Sequence, residues 1–309
     1  MKKAIVTLSS AFLLGILSVY GLFRVVFCYP RRLRPTVRQI PDSDLYRAHK
    51  DKMLHVIEEM ENAPSEEVHI VSIEGLQLYG KLYYGQKDAP LILFFHGYHG
   101  TSAWDGYGIF KLCRANGYPL LMVDERAHGK SEGKTITFGI RERCDCKSWV
   151  EFAVKRYGEN TDIILAGVSM GAASVMMASN LGLPGNVRGI IADCGYLGPA
   201  DIIKQTVRQM KLPVKPLYWL IRLGARLFGH FDTEADTALK AVRRTEIPIL
   251  FIHGSQDSIV PPAMGKALYK ACHASKRWLL IEGADHANSA MTDYETYAKK
   301  IREFIRENI

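Results

Sequence analysis

The chain has 309 residues, 48% of them hydrophobic and 23% charged, which excludes a disordered tail, a collagenous rod and a disulfide-built mini-protein. Its length holds one large α/β domain or two smaller ones, with a substantial core in either case. The net charge of +8 is not a nucleic-acid signature: residues 1–38 carry seven basic residues and no acidic one, leaving 33 basic against 32 acidic groups in the body, where a nucleic-acid binder needs its surplus.

Ala4–Phe23 is an uncharged run of 20 residues, long enough at 1.5 Å per helical residue to match a bilayer of about 30 Å. It predicts a retained single-pass membrane anchor over residues 1–23. The competing readings are a cleaved signal peptide, disfavoured by the long apolar run and the missing small-x-small site, and a buried helix. Flanking charge leaves the membrane side open. Five arginines after the run favour a cytoplasmic body, whereas a short basic N-terminus before a first hydrophobic segment usually stays inside. The cysteines at 28, 113, 144, 146, 194 and 272 are scattered, with no Cys-x-x-Cys pair; Cys144 and Cys146 read as helix residues.

Residues 24–64 read as a connector with a helix, closed by Pro64. Strands are expected near Val68–Ile73 and Leu76–Tyr84, joined as a hairpin through Glu74-Gly75. Continuous apolar runs follow at Leu91–Phe95, Leu120–Val123, Ile163–Ala166, Gly189–Ala192, Ile249–Ile252 and Trp278–Ile281, as in strands buried on both faces. Helix-length segments lie between them, including Arg141–Tyr157, Ala172–Asn180, Pro262–Cys272 and Tyr294–Ile309. The alternation predicts an α/β domain over 65–309, with a mostly parallel central sheet and helices on both faces. Functional groups then belong at the carboxyl ends of the strands. More than fifty residues between Ala192 and Ile249 lack a strand. The apolar and basic part of that interval, about 199–232, is expected to form a helical lid split by Pro213 and Pro216.

The strongest motif is Gly167-Val168-Ser169-Met170-Gly171, between an apolar strand and a helical run. This is the Gly-x-Ser-x-Gly elbow in the context that gives it meaning. The bland alternative is a glycine-bounded turn with a capping serine. A serine nucleophile needs a base, and the base an orienting acid. Asp257 follows one later strand and His286 the next, giving the order Ser…Asp…His expected for α/β hydrolases. Asp193 is an alternative acid. Asp285 adjoins the histidine too closely to reach its Nδ1, and His253 reads as a structural partner of the acid loop. The oxyanion hole is assigned to the backbone N–H groups of Met170 and of Tyr98, in His96-Gly97-Tyr98-His99-Gly100. A plain Gly-rich turn is the alternative for that loop, with His96 and His99 as packing residues. The loop Asp124–Ser131 reads as a hydrogen-bonded structural loop rather than a metal site. No zinc motif, P-loop or dinucleotide fingerprint is present, so neither metal nor cofactor is expected.

From about Glu67 to Ile309 the chain resembles an α/β-hydrolase-fold serine hydrolase, on FFHGYHG, DERAHGKSEG, GVSMGAAS, IADCGY, FIHGSQDSIVP and GADH in that order. It is most similar to a membrane-anchored bacterial branch of the abhydrolase-13 and serine aminopeptidase (hydrolase-4) types. The resemblance implies the fold, the triad Ser169, Asp257 and His286, and the donors Tyr98 and Met170. It is weak on substrate, because the superfamily carries many chemistries.

The lid is rich in apolar side chains, Trp219 and Leu220 among them. They are expected to roof a hydrophobic acyl group, with simple packing on the body as the alternative. The sequence therefore predicts a serine esterase acting on small, hydrophobic, lipid-like esters, held at a membrane and without a nucleic-acid partner. A peptidase or thioesterase using the same residues, and a catalytically silent scaffold, are the rival readings.

Overall fold

The structure, a computed structural model, describes the backbone of residues 2–309 and the side chains of residues 13–43 and 45–309. Eight strands form one sheet: β1 (Ser65–Val71), β2 (Gln77–Tyr83), β3 (Leu91–Phe95), β4 (Leu120–Val123), β5 (Ile163–Val168), β6 (Val187–Asp193), β7 (Ile249–Gly254) and β8 (Lys276–Ile281). Their spatial order is β1-β2-β4-β3-β5-β6-β7-β8. The hairpin β1–β2 and the pair β2–β4 are antiparallel, and every pairing from β4 through β8 is parallel. The order reverses between β3 and β5, so the loops leaving those two strands diverge and open a crevice at their carboxyl ends.

The apolar runs are explained by the two layers they separate. Along β3, Ile92 and Phe94 enter the core on one face, while Leu91, Leu93 and Phe95 enter the other. Successive strand side chains point to opposite faces, and each fully buried one contributes about 1.5–3 kcal/mol. Helices Lys50–Asn62, Tyr107–Asn116 and Tyr294–Asn308 cover the first face. Helices Glu142–Tyr157, Met170–Ala178, Ala238–Val242 and Pro262–Ala271 cover the second.

A third apolar cluster sits over the carboxyl edge of the sheet and joins Phe23, Phe27, Phe138, Tyr196, Ile203 and Ile221. The interval between β6 and β7 supplies helices Pro199–Gln209 and Val214–Phe228 to it. The break between the two helices falls at residues 210–213, just before the second. Pro213 caps it and Pro216 stands in its first turn, where a backbone N–H has no intrahelical partner to lose.

The expected single-pass membrane anchor is overturned: among the described residues no helix is long and apolar enough to cross a membrane. The Lys2–Phe27 helix instead packs its C-terminal half on the protein. Val19, Phe23 and Phe27 are buried, and the helix crosses Val214–Phe228 at Gly224. A Cβ on Gly224 would stand 3.0 Å from the Val19 carbonyl oxygen and 3.1 Å from Phe23 Cβ, so a larger residue there would have to push the two helices apart by a few tenths of an ångström. Of the described part of that run, Val19 and Phe23 face the protein, whereas Leu13, Leu14, Leu17 and Tyr20 are exposed. The side chains of Lys2, Lys3 and the run up to Phe12 lie outside the described residues.

Candidate active site

Ser169 ends β5 and precedes the helix Met170–Ala178 with φ 54° and ψ −110°. Such backbone is costly for a residue bearing a side chain and persists only where its surroundings enforce it. Ser169 N–H donates to the Asp193 carbonyl at 2.9 Å, and its own carbonyl accepts from Ala173 N–H at 3.0 Å. The helix start sits directly on the end of β3: a Cβ on Gly171 would lie 2.0 Å from the Phe95 carbonyl oxygen.

The side chains read as nucleophile, base and acid meet. His286 Nε2 lies 2.9 Å from Ser169 Oγ, and its Nδ1 lies 2.8 Å from Asp257 Oδ2. Asp257 Oδ1 accepts the backbone N–H groups of Ile259 at 3.0 Å and Val260 at 2.7 Å. His253 Nε2 stands 3.3 Å from Asp257 Oδ2 and 2.9 Å from the Val260 carbonyl. Burial alone would raise the Asp257 carboxyl; hydrogen bonds from His253 and His286 outweigh it and hold the group down at about 2. Asp257 is therefore a carboxylate at neutral pH. Asp193, the alternative acid, does not hydrogen-bond the His286 ring; its Oδ1 accepts from Ser289 Oγ at 2.9 Å, and burial pushes its carboxyl up. Asp285 binds Ser258 and the His286 backbone N–H.

The loop after β3 lies alongside. A Cβ on Gly97 would be 3.3 Å from Ser169 Cβ. Gly97 N–H is committed to Asp105 Oδ2 at 2.7 Å, so that donor is spent on holding the loop. Asp105 is half-buried, and desolvation raises its carboxyl. The next donor along the chain is Tyr98 N–H, and Met170 N–H, first in its helix, has no intrahelical partner. His96 is a loop-packing residue: its Nδ1 pairs with the Gly97 carbonyl at 2.8 Å and its Nε2 accepts Glu125 N–H at 3.0 Å. In the loop 124–131, Arg126 grips Asp145 at 2.6 and 2.8 Å, and Ser131 Oγ donates to the Asp124 carbonyl at 2.6 Å. Asp124, Arg126 and Lys130 are thus used internally, whereas both carboxyl oxygens of buried Glu125 have no hydrogen-bond partner. Among the described residues one group has metal-ligand spacing, Cys194, Asp257 and His286, and its aspartate and histidine already bind each other.

A cavity of about 470 Å³ opens on Ser169 and His286. Trp219 and Leu220 do not line it. Trp219 is 62% exposed, because the Val214–Phe228 helix turns Leu217 and Ile221, one turn apart, toward the cavity instead. Ile202, Ile203 and Val207 line it from Pro199–Gln209, a face that helical periodicity marks in the sequence. Leu22, Val25 and Val26 of the first helix and Leu45 and Tyr46 of the connector complete the wall. No local signal in the sequence tied those residues to the site.

Comparison with known proteins agrees with the geometry. A family model described as serine aminopeptidase, S33, matches residues 86–222, and one described as serine hydrolase (FSH1) matches residues 166–287. The chain is 25% identical to uncharacterized protein YqkD of Bacillus subtilis over 87% of this chain and 88% of that one. It is 22% identical to protein bem46 of Schizosaccharomyces pombe, over 72% and 69%. Among solved structures it resembles the Pyrococcus furiosus esterase Pf2001, with TM-score 0.65 and 22% identity over 81% of this chain and 93% of that one. It also resembles Est1E from Butyrivibrio proteoclasticus, solved with ferulic acid bound, with TM-score 0.61 and 22% identity over 78% and 98%. The structural likenesses carry the fold and the two family matches, which together span residues 86–287, carry the class: the protein is an α/β-hydrolase-fold serine hydrolase.

Proposed function

We propose that this serine hydrolase cleaves neutral, hydrophobic acyl esters through an acyl-enzyme on Ser169. The observation that carries the reading is the lining of the cavity: its described residues include no Asp, Glu, Lys or Arg, and apolar side chains dominate it. At about 470 Å³ it lies in the usual range for small-molecule sites, about 300–1,000 Å³. The helices Pro199–Gln209 and Val214–Phe228 act as its lid.

In the first half-reaction Ser169 Oγ attacks the ester carbonyl carbon while its proton passes to His286 Nε2. Asp257 steadies the imidazolium through Nδ1, and the Tyr98 and Met170 N–H groups receive the carbonyl oxygen as it becomes an oxyanion. Collapse breaks the carbon–oxygen bond to the alcohol, which leaves with the proton from His286. A water then gives its proton to Nε2 and attacks the acyl carbon, releasing the carboxylic acid and restoring Ser169.

A peptidase reading draws on the name of one matching family model. An aminopeptidase must hold a charged N-terminal amine, and an ammonium group taken from water without a partner costs several kcal/mol. The cavity offers it no carboxylate among the lining residues. The test is fluorophosphonate labelling of the protein and of Ser169→Ala, followed by p-nitrophenyl esters, acyl thioesters and aminoacyl p-nitroanilides. Labelling lost only in Ser169→Ala, with ester turnover rising from acetate to longer acyl chains, supports the proposal. Preferred cleavage of anilides or thioesters transfers it to the corresponding rival, and an unlabelled folded wild type moves it to the silent scaffold.

A further inference from the structure

The last turn of the first helix does more than wall the cavity. Phe27 carbonyl accepts Ile136 N–H at 2.7 Å and Tyr29 N–H donates to the Lys134 carbonyl at 3.2 Å, so the segment is stitched into the body beside the loop that follows β3. Tyr98 OH donates to the Val26 carbonyl at 3.0 Å. The Tyr29 ring stacks on His99 with centroids 3.9 Å apart and planes at 22°. His99 stacks in turn on Tyr98, at 3.8 Å and 18°, and Tyr98 on Phe138, at 4.9 Å and 20°. Four rings therefore form one pile, with the two members from the loop after β3 clasped between Tyr29 and Phe138.

The clasp is needed where it stands. His99 has φ 56°, a conformation a side-chain-bearing residue holds only when its surroundings impose it. Its N–H is fixed to His128 Nε2 at 3.0 Å, and Tyr29 meets the His128 ring edge-on with centroids 5.4 Å apart. Tyr29 itself is buried. The Gly97 carbonyl, in the same peptide plane as Tyr98 N–H, is held by His96 Nδ1 at 2.8 Å and by Gly100 N–H at 3.2 Å; the clasp fixes the side-chain end of that unit, and opening it loosens the direction of the N–H without releasing the loop.

We propose that Tyr29 is a positioning residue for the oxyanion hole, acting through the ring pile and the Val26–Tyr98 hydrogen bond to aim Tyr98 N–H at the reacting carbonyl. The proposal rests on the acyl-transfer reading above. A donor aimed at charge that develops only in the transition state affects kcat more than KM. Loss of a whole oxyanion donor costs about 10²–10³ in kcat, so partial misalignment is expected to cost about 10–100-fold.

The experiment measures kcat and KM on one p-nitrophenyl ester for the wild type, Tyr29→Leu, Tyr29→Phe and Tyr98→Phe, normalised to folded protein by near-ultraviolet circular dichroism. The expected result is a fall in kcat of about 10–100-fold for Tyr29→Leu with KM within about twofold, most of it restored in Tyr29→Phe, which keeps the ring. Wild-type kcat in Tyr29→Leu, or equal losses in the Leu and Phe variants, overturns the assignment. Should Tyr29→Leu fail to fold, Tyr98→Phe carries the test alone: it cuts the tie to the helix and keeps every ring and the backbone N–H, and an unchanged kcat there overturns the proposal. A wild type that neither labels with fluorophosphonate nor turns over overturns the reading beneath, whereas an active wild type beside a fully active Tyr29→Leu overturns the positioning role alone.

Discussion

Ser169 occupies a backbone conformation that favours glycine, so replacing it with glycine should stabilise the protein while abolishing turnover. The comparison is with Ser169→Ala: both variants lose the 2.9 Å contact to His286, and only the glycine variant relieves φ 54°, ψ −110°. Strain of this kind costs about 1–3 kcal/mol. The greater freedom of glycine in the unfolded chain takes back about 0.5–1 kcal/mol, leaving a net gain of up to about 2.5 kcal/mol, with about 1.3 kcal/mol at the centre of the range. Unfolding entropy near 60 °C is about 2.1 cal/mol/K per residue, or roughly 0.65 kcal/mol/K for a chain of this length, so Tm should rise by about 2 °C, and by at most about 4 °C. Differential scanning calorimetry of the two variants at equal concentration reads the difference directly. A Ser169→Gly midpoint at or below that of Ser169→Ala would refute the argument that the elbow stores strain.

Asp257→Asn should reduce kcat about 10⁴-fold by disfavouring the required histidine tautomer. Because the Asp257 carboxyl is held near 2 in the fold against about 3.9 in an unfolded chain, its ionisation contributes stability above about pH 4, lost as pH falls toward 2. Urea unfolding across that window should fall less steeply with acidification in Asp257→Asn than in the wild type; parallel curves would contradict it. In the cavity, Leu217→Trp should depress turnover of long acyl esters far more than of acetate, because the larger ring takes the space of the chain. Trp219→Ser, on the outer side of the same helix and away from the cavity lining, should leave the chain-length profile unchanged and shift stability by no more than about 0.5 kcal/mol. A long-chain defect in Trp219→Ser would place the wrong face of the helix at the substrate.

The parts legible in the sequence are those with a local cause. Leu91–Phe95 and Leu120–Val123 are apolar on both faces, and their strand bounds are read directly from that run. Ser169, Asp257 and His286 each follow a strand, and the fold alone brings their side chains into hydrogen-bonding distance. The misreadings share a different origin. Whether Phe23 faces lipid or Gly224 depends on a helix far along the chain, and hydropathy carries no information about that partner. Trp219 and Leu220 belong to the same apolar stretch of the lid as Leu217 and Ile221, and only the i, i+4 pair Leu217 and Ile221 turns inward. Asp105, which holds Gly97 N–H, lies in a short helix, Ser102–Asp105, with no pattern to mark it.

The crossing of the first helix at Gly224 also sets a timetable for biosynthesis. Val19 and Gly224 are 205 positions apart, and at about 5–20 residues per second the ribosome takes roughly 10–40 s to supply the second after the first. Phe23 and Phe27 spend that interval without the surface that later covers them. Closing so long a loop adds its own entropic cost, which places the docking late in folding, after the local strand pairs have formed. A nascent chain stalled before Val214 would therefore expose an adhesive apolar helix, and the yield of native protein should respond to chaperones that shield such segments during translation.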